Sequence, residues 1–379
     1  MKKIIILIFF ALLIVIAPSY TTTLIPKDFI IETIVTQPPQ PTVTTLGFVG
    51  DIMMHGAQIK SGYDIKRDIY SFDDYFQYLE NRFRNYDYLV GNLETPTDGS
   101  QSFGAYPLFN SPPAILDALQ NASFDALQFA NNHTFDAGVS GMRATLTAML
   151  ERNIVPIGIS SIPDPYAPTL VDVNGITLGF VSATYGFNIG SNTSDIPEVV
   201  HTIDSGKIEE MIRTARERGS DIVIVMPHWG NEYQRTYSEE QSELAWSWIK
   251  AGADIVVGTH PHVVQPVQVI TLETGRTGIV AYSLGNFVSN QQDRYTDLGG
   301  LLEITITDQP GTDTPPVITD YHFEYLYTHK HKLANGLTQY RTLLLSDAHY
   351  LTEITEEQKS RIIEYQMVPS VFEYSLVNN

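Results

Sequence analysis

Five times along this chain an apolar run rich in β-branched residues stops abruptly and delivers side chains that can bind a metal ion. The clearest case is Ala253-Asp254-Ile255-Val256-Val257-Gly258-Thr259-His260-Pro261-His262, a strand-like run ending on a glycine and two histidines separated by one proline. If the backbone stays extended across Pro261, both imidazoles point to one side. They could then hold one ion from two sides, or two ions roughly 3.5–4 Å apart. The other four runs end at Asp51, at Asn92 with Glu94, at Asn132 with His133, and at His228. Such strands alternate with helical stretches, which predicts an α/β fold. In an open α/β sheet the ligand site lies beyond the carboxyl ends of the strands, so the five clusters are expected to converge.

The alternation can be read along the chain. Strands are expected at 44–50, 86–90, 124–130, 154–157, 221–226, 277–282, 301–307 and 317–327. Residues 169–173 and 176–182 flank Asn174-Gly175 and read as a hairpin. Helical spacing marks 72–83, 141–152, 208–218, 238–251 and a polar stretch at 355–365. A short helix after Pro112-Pro113 has Ile115, Leu116 and Leu119 as its apolar face.

Each cluster also has an ordinary reading. Asp51 after Gly50 suits a turn, Asn131-Asn132 suits a left-handed turn pair, and His133 suits a cap on backbone carbonyls. His228 beside Trp229 suits a packed core histidine, and Glu94 a solvated charge. The joint occurrence decides against these, because turn chemistry does not favour histidine at strand end after strand end.

Composition narrows the chemistry. The 379 residues carry 43 acidic against 23 basic side chains, a formal charge of −20, which disfavours nucleic-acid partners and non-specific binding to anionic membranes. There is no cysteine, so disulfides, thiolate metal sites, iron–sulfur clusters and a thiol nucleophile are excluded. Any metal must be held by His, Asp, Glu and Asn.

The first residues read as an address. Met1-Lys2-Lys3 precedes an unbroken apolar run from Ile4 to Ala17, the length of a signal-peptide core and short for a free-standing membrane span. Residues 1–20 are therefore expected to be a signal peptide or an N-terminal anchor. Residues 21–43, with Gln37-Pro38-Pro39-Gln40-Pro41, are expected to form an extended linker. The main domain is expected over 44–330, followed by a partly helical extension over 331–379.

Six motifs, taken together and in order, resemble the CapA family of capsule, or poly-γ-glutamate, synthesis proteins, which are related to calcineurin-like metallophosphoesterases. They are Gly50-Asp51-Ile52-Met53; Gly91-Asn92-Leu93-Glu94; Ala130-Asn131-Asn132-His133 with Asp136 and Gly138; His228-Trp229-Gly230 with Glu232-Tyr233; Gly258-Thr259-His260-Pro261-His262 with Gln265-Pro266; and Ser283-Leu284-Gly285-Asn286-Phe287. The resemblance runs from about Leu46 to Asn290. It implies a four-layer α/β/β/α sandwich, a secreted or membrane-tethered location, and a role in building or attaching an anionic cell-surface polymer.

The resemblance also implies roles. Asp51, Asn92, Glu94, Asn132, His228, His260 and His262 would hold two divalent ions, with Mn²⁺, Zn²⁺ and Fe all compatible with the donors. His133 would stabilise charge or protonate a leaving oxygen, with Asp136 and Glu232 orienting histidines from behind. The phosphoesterase motif Asp-x-His has Met53 in place of its histidine, and no direct match exists for the bridging aspartate, a place that Glu94 would fill. His55 reads as a loop residue rather than a substitute ligand. Lys60, Arg235 and Arg294 are candidate cations for an anionic substrate, and Tyr106, Phe109, Tyr185, Phe187 and Tyr295 are candidates for a substrate groove.

Three functions fit. The first is metal-assisted hydrolysis or transfer at a phosphoryl, acyl or amide centre in capsule or poly-γ-glutamate synthesis, at the outer face of the membrane. The second is a non-catalytic part of a polymer export machine. The third is a general secreted phosphoesterase. The expected partners are the anionic polymer or its precursor and membrane proteins of a capsule complex. Nucleic acid is not expected, and the membrane only through the N-terminal segment.

Overall fold

The computed structural model describes residues 40–161, 164–189, 197–368 and 372–376. The N-terminal segment and most of the expected linker lie outside the described residues. Among the described residues no helix is long and apolar enough to cross a membrane.

The chain opens with β1 (Thr42–Ile52), then short helix α1 (Gly56–Ser61) and one-turn helix α2 (Glu80–Phe83). Next come β2 (Tyr88–Leu93), α3 (Ala114–Asn121), β3 (Ala126–Gln128), α4 (Gly138–Leu150) and β4 (Val155–Ile157). A second series follows: hairpin β5 (Thr169–Val173) and β6 (Ile176–Thr184), α5 (Ser205–Glu217), β7 (Ile222–His228), α6 (Glu239–Ala251), β8 (Ile255–Val257), β9 (Val267–Thr271) and β10 (Thr277–Ala281). The chain then adds β11 (Asn286–Val288), β12 (Leu298–Asp308), β13 (Val317–Lys332), β14 (Thr338–Leu344), α7 (Glu356–Gln366) and β15 (Phe372–Leu376).

Two mixed sheets result. The first has the order β14-β13-β12-β1-β2-β3-β4, with β11 pairing beside β1. The second runs β15-β9-β10-β8-β7-β6-β5. The alternation of side chains explains how they stack. Leu46 and Phe48 of β1, Val90 of β2 and Ile304 of β12 share one apolar layer with Phe180 of β6, Ile222 and Ile224 of β7 and Ile255 of β8, so the sheets face each other. The alternate residues point outward. Leu89, Leu93 and Leu127 pack under α3 and α4, while Val223, Val225 and Val256 pack under α5 and α6. Strands covered on both faces must be apolar throughout, which is why these runs are continuous rather than alternating.

One expectation needs correction. Residues 72–83 do not form one helix but two separate turns, the 3₁₀ turn Asp73–Tyr75 and α2. The helical spacing is real as burial, since Phe72, Tyr75, Phe76, Leu79 and Phe83 all face the core. Bulky aromatics lose rotamer freedom on a helix, and here they form a cluster instead, Phe72 edge-on to Tyr75 at 5.4 Å, Phe76 stacking 5.1 Å from Phe287 and Phe83 standing edge-on to Phe124. The pairing of β13 with β14 continues to Lys332.

Candidate metal centre

The carboxyl ends of β1, β2, β3, β7 and β8 do meet. Asp51 and Asn92 are register partners on the parallel pair β1 and β2, and the Asn92 amide donates to Asp51 Oδ1 at 2.8 Å. Asp51 is held from its other side by its own N–H, which donates to Gly285 O at 2.8 Å. That approach explains Gly50: a Cβ there would stand 1.8 Å from the same carbonyl. Glu94 follows one residue after β2, pinned by its N–H to Ile52 O.

The second sheet supplies the imidazoles. His228 ends β7, with Nδ1 3.0 Å from Thr259 Oγ1 and Nε2 2.9 Å from Asn132 Oδ1. His262 Nδ1 lies 3.0 Å from Asp51 Oδ2. Glu94 Oε1 then stands 3.4 Å from His228 Nε2, 3.9 Å from His262 Nε2 and 4.0 Å from His133 Nε2. Two triads offer ligand atoms within 4.8 Å of one another, Asp51-Glu94-His228 and Glu94-His260-His262, and Glu94 belongs to both. All of these side chains are buried.

The backbone at His260-Pro261-His262 departs from expectation. It is not extended: His260 has φ 99° and His262 φ 60°, both left-handed. Two non-glycine residues in that region store strain of order 1–3 kcal/mol each, which surrounding contacts must hold. Tyr233, itself at φ 62°, donates its N–H to Pro261 O at 2.8 Å and so braces the bend. The two imidazoles still serve one centre, their ring centroids 5.8 Å apart.

The electrostatics are those of a crowded buried site. Burial, then the charge of Asp51, pushes Glu94 up to about 8. Burial pulls His228 down to about 3 and His260 down to about 2. Burial also opposes the charge on His262, but the Glu94 and Asp51 carboxylates outweigh it and raise this imidazole to about 9. Asp51 falls below its ordinary range because His262 overcomes the cost of burial. Glu94 Oε1 and His260 Nδ1 have no hydrogen-bond partner although buried. Leaving such atoms unpaired is costly, and a divalent cation would satisfy them together. The oxygen and nitrogen donor set fits a metal of the Mn, Fe or Zn type.

His133 sits beside this centre with a partner of its own. Its Nδ1 lies 2.6 Å from Asp136 Oδ2, which also accepts the Phe109 N–H at 2.8 Å. The Phe109 ring meets the imidazole edge-on at 4.7 Å. Nδ1 thus faces a carboxylate and Nε2 faces Glu94, so proton exchange would take place at Nε2, toward the centre.

Several further residues support the site, and of these only Tyr185 is given a site role by the sequence. Asn131 donates to Asn92 Oδ1 at 3.1 Å and Leu93 O at 2.8 Å and accepts the His133 N–H at 3.1 Å, so it locks two strand ends together. Thr259 holds His228, and Gln265 holds the loop after β7 through Gln234 O and Thr236 O. Tyr185 lies over His260, ring to ring 4.5 Å, and Asn188 reaches the His133 ring at 3.4 Å. No local pattern marks these contacts, since all but the His133–Asn131 bond span more than twenty residues of sequence.

Other expectations fare differently. Glu232 is exposed and acts on Glu94 and His262 only through its charge. His55 caps α1 through Gln58 and accepts the Asn290 N–H, the loop role expected of it. The candidate cations do not gather at the centre: Arg294 pairs with Glu364, Arg235 stacks on Tyr295 at 4.3 Å, and Lys60 is exposed on α1. Of the aromatics, Phe109 and Tyr185 touch site histidines, Phe187 packs on Phe135, Tyr106 is exposed, and Tyr295 packs on Tyr365 in the C-terminal layer.

Comparison with known proteins gives the following. Residues 45–291 match the family model described as bacterial capsule synthesis protein PGA_cap. The PGA biosynthesis protein CapA of Bacillus subtilis is 35% identical over 262 residues, 66% of this chain and 64% of that protein. The capsule biosynthesis protein CapA of Bacillus anthracis is 30% identical over 273 residues, 70% of this chain and 64% of that protein. The chain thus spans just under two thirds of the length of each. Among solved structures, a calcineurin-like phosphoesterase from Bacillus subtilis aligns with a TM-score of 0.44 at 15% identity, covering 86% of this chain and 99% of that one.

Proposed function

The chain belongs to the bacterial capsule synthesis protein family PGA_cap, and from that premise we propose that it is a metal-dependent enzyme of capsule or poly-γ-glutamate synthesis. It acts in assembly, attachment or export of the polymer, at the outer face of the membrane, on a metallophosphoesterase-type α/β/β/α sandwich. The observation that carries the reading is Glu94 Oε1, buried without a hydrogen-bond partner where three imidazole Nε2 atoms come within 4.0 Å.

Asp51, Asn92, Glu94, Asn132, His228, His260 and His262 would hold two divalent ions. When bound, these would supply Lewis-acid activation of water and neutralise charge developing at a phosphoryl, acyl or amide centre. The protein does the rest. Asn92 and Thr259 fix the orientation of Asp51 and His228. Asp136 holds His133 with Nε2 toward the centre, where it can give a proton to the departing group. The half-exposed Tyr185 ring packs against His260.

A scaffold role in polymer export is the second reading, and Met53 favours it: a buried thioether stands where the phosphoesterase motif has a ligand histidine. The test is metal content of the full-length chain by mass spectrometry, with turnover of a phosphodiester and of a γ-glutamyl amide. Bound metal and turnover, both lost in Glu94→Gln, support the enzyme. A metal-free, inert chain that still restores polymer formation in cells lacking it would establish the scaffold.

A further inference from the structure

Next to the centre the protein exposes apolar side chains on two neighbouring projections. One is the hairpin Tyr63–Asp64 and Ile69–Tyr70, whose turn presents Ile65, 81% exposed. The other is the loop 103–110, where Tyr106 is 77% and Leu108 47% exposed. The projections are joined: Tyr63 packs on Tyr70 at 5.0 Å, and Tyr70 stands edge-on to Phe103 at 5.3 Å. Single exposed apolar residues are ordinary, but several on two segments joined by packed aromatics at their base mark a contact surface.

The charges beside the tips identify the contact. Lys60, Lys66 and Arg67 are all exposed, and none of them takes part in an ion pair among the described residues. The carboxylates within the hairpin are turned to internal use. Asp64 accepts the N–H groups of Lys66 and Arg67, and Asp68 accepts the Tyr63 hydroxyl at 2.6 Å. In a chain of net charge −20, Lys60, Lys66 and Arg67 outnumber the hairpin's two carboxylates, Asp64 and Asp68, and give the surface around the exposed isoleucine and tyrosine a local cationic excess. Aliphatic tips with tyrosines at their base and flexible cations around them are the chemistry of insertion into the headgroup region of an anionic bilayer.

We propose that the hairpin 63–70 and the loop 103–110 form a membrane-surface docking element that seats the domain on anionic phospholipid with its metal centre beside the bilayer. The link to the centre is short: Phe109, on the same loop as Tyr106 and Leu108, gives its N–H to Asp136 and packs on His133. Docking fixes which face meets the membrane. The inference stands on the surface and does not require the centre to hold metal.

The absence of cysteine makes the test clean, because a single introduced thiol is the only labelling site. Full-length Ile65→Cys carrying an environment-sensitive fluorophore is mixed with vesicles of phosphatidylglycerol and phosphatidylcholine. Val317→Cys, exposed at the opposite end of the first sheet, is the control. The label at 65 should brighten and shift to the blue while the label at 317 does not. Lys60→Gln/Lys66→Gln/Arg67→Gln should abolish the change, each cation being worth on the order of fivefold in partitioning. Water-like emission at 65 in vesicle-bound protein overturns the proposal. So does an equal response to soluble poly-glutamate without vesicles, which would assign the patch to the polymer.

Discussion

Asp51 and His262 stand 3.0 Å apart, oxygen to nitrogen, across a separation of 211 residues and the seam between two sheets. Asp51 belongs to the first sheet, through β1, and His262 follows β8 of the second. The candidate centre therefore forms only when the two sheets have docked through their shared apolar layer. Neither half carries a complete donor set, since the first sheet supplies Asp51, Asn92, Glu94 and Asn132 and the second supplies His228, His260 and His262.

Glu94 gives the first prediction. In the metal-free protein its Oε1 is buried and unpaired, and its charge is opposed by Asp51, so the carboxylate is a liability there. Glu94→Gln should leave metal-free stability equal or raised while weakening metal binding by at least about tenfold. Thermal melts with chelator, then with added Mn²⁺ or Zn²⁺, read both effects: wild type should gain far more from metal than the variant. A variant that is much less stable without metal would show that Glu94 holds the fold rather than an ion.

His133 and Asp136 form a pair whose role can be separated from binding. The imidazole lies at the edge of the centre, 4.0 Å from Glu94, with its other nitrogen on Asp136. His133→Ala should lower kcat by about 10²–10⁴-fold with metal content unchanged, as loss of a proton donor does. Asp136→Asn should lower it less and shift the pH profile, since Asp136 acts through the ring. Loss of metal in parallel with activity would move His133 into the ligand set and remove it from the proton-transfer role.

The adjacent amides make contrasting predictions. Asn131 is fully buried and joins three partners on two strand ends, whereas Asn132 presents its oxygen to His228. Asn131→Ala strands several buried groups and should cost about 2–3 kcal/mol in urea unfolding. Asn132→Ala should cost less in the metal-free protein and more in metal affinity. The reverse pattern would exchange their roles.

Much of this was legible in the sequence, for identifiable physical reasons. Strands covered on both faces must be apolar throughout, so β1, β2, β7 and β8 announce themselves, and the topology carries their ends to one place. What could not be read depends on contacts between distant residues. Asn131 and Asn132 are the same chemical group one residue apart, and only the fold decides which bridges strands and which faces the histidine. The bend at His260 and His262 contradicts the extended path that Pro261 favours, and Tyr233, twenty-eight residues before Pro261, holds it. Residues 72–83 show true helical spacing, but the aromatics that carry it pack on one another and on Phe287 in the core. The polar strand β14 gave no apolar run, because only Tyr340, Thr342 and Leu343 are buried along it.

The C-terminal layer predicts a pH dependence of its own. His329 is buried on β13, and burial, reinforced by neighbouring His331, lowers it from 6.5 to about 4. The unfolded chain therefore binds a proton between pH 6.5 and 4 that the folded chain does not. The stability contributed by the neutral ring is present in full above 6.5 and is lost as pH falls toward 4. A shift of this size is worth up to about 3 kcal/mol. His329→Phe, which keeps a planar ring on the strand, should remove that slope. Urea midpoints of metal-free protein at pH 7 and pH 4.5 measure it: wild type should lose more between the two than the variant, by as much as that amount. Identical losses would mean that His329 is protonated in the folded state and that the acid sensitivity comes from elsewhere.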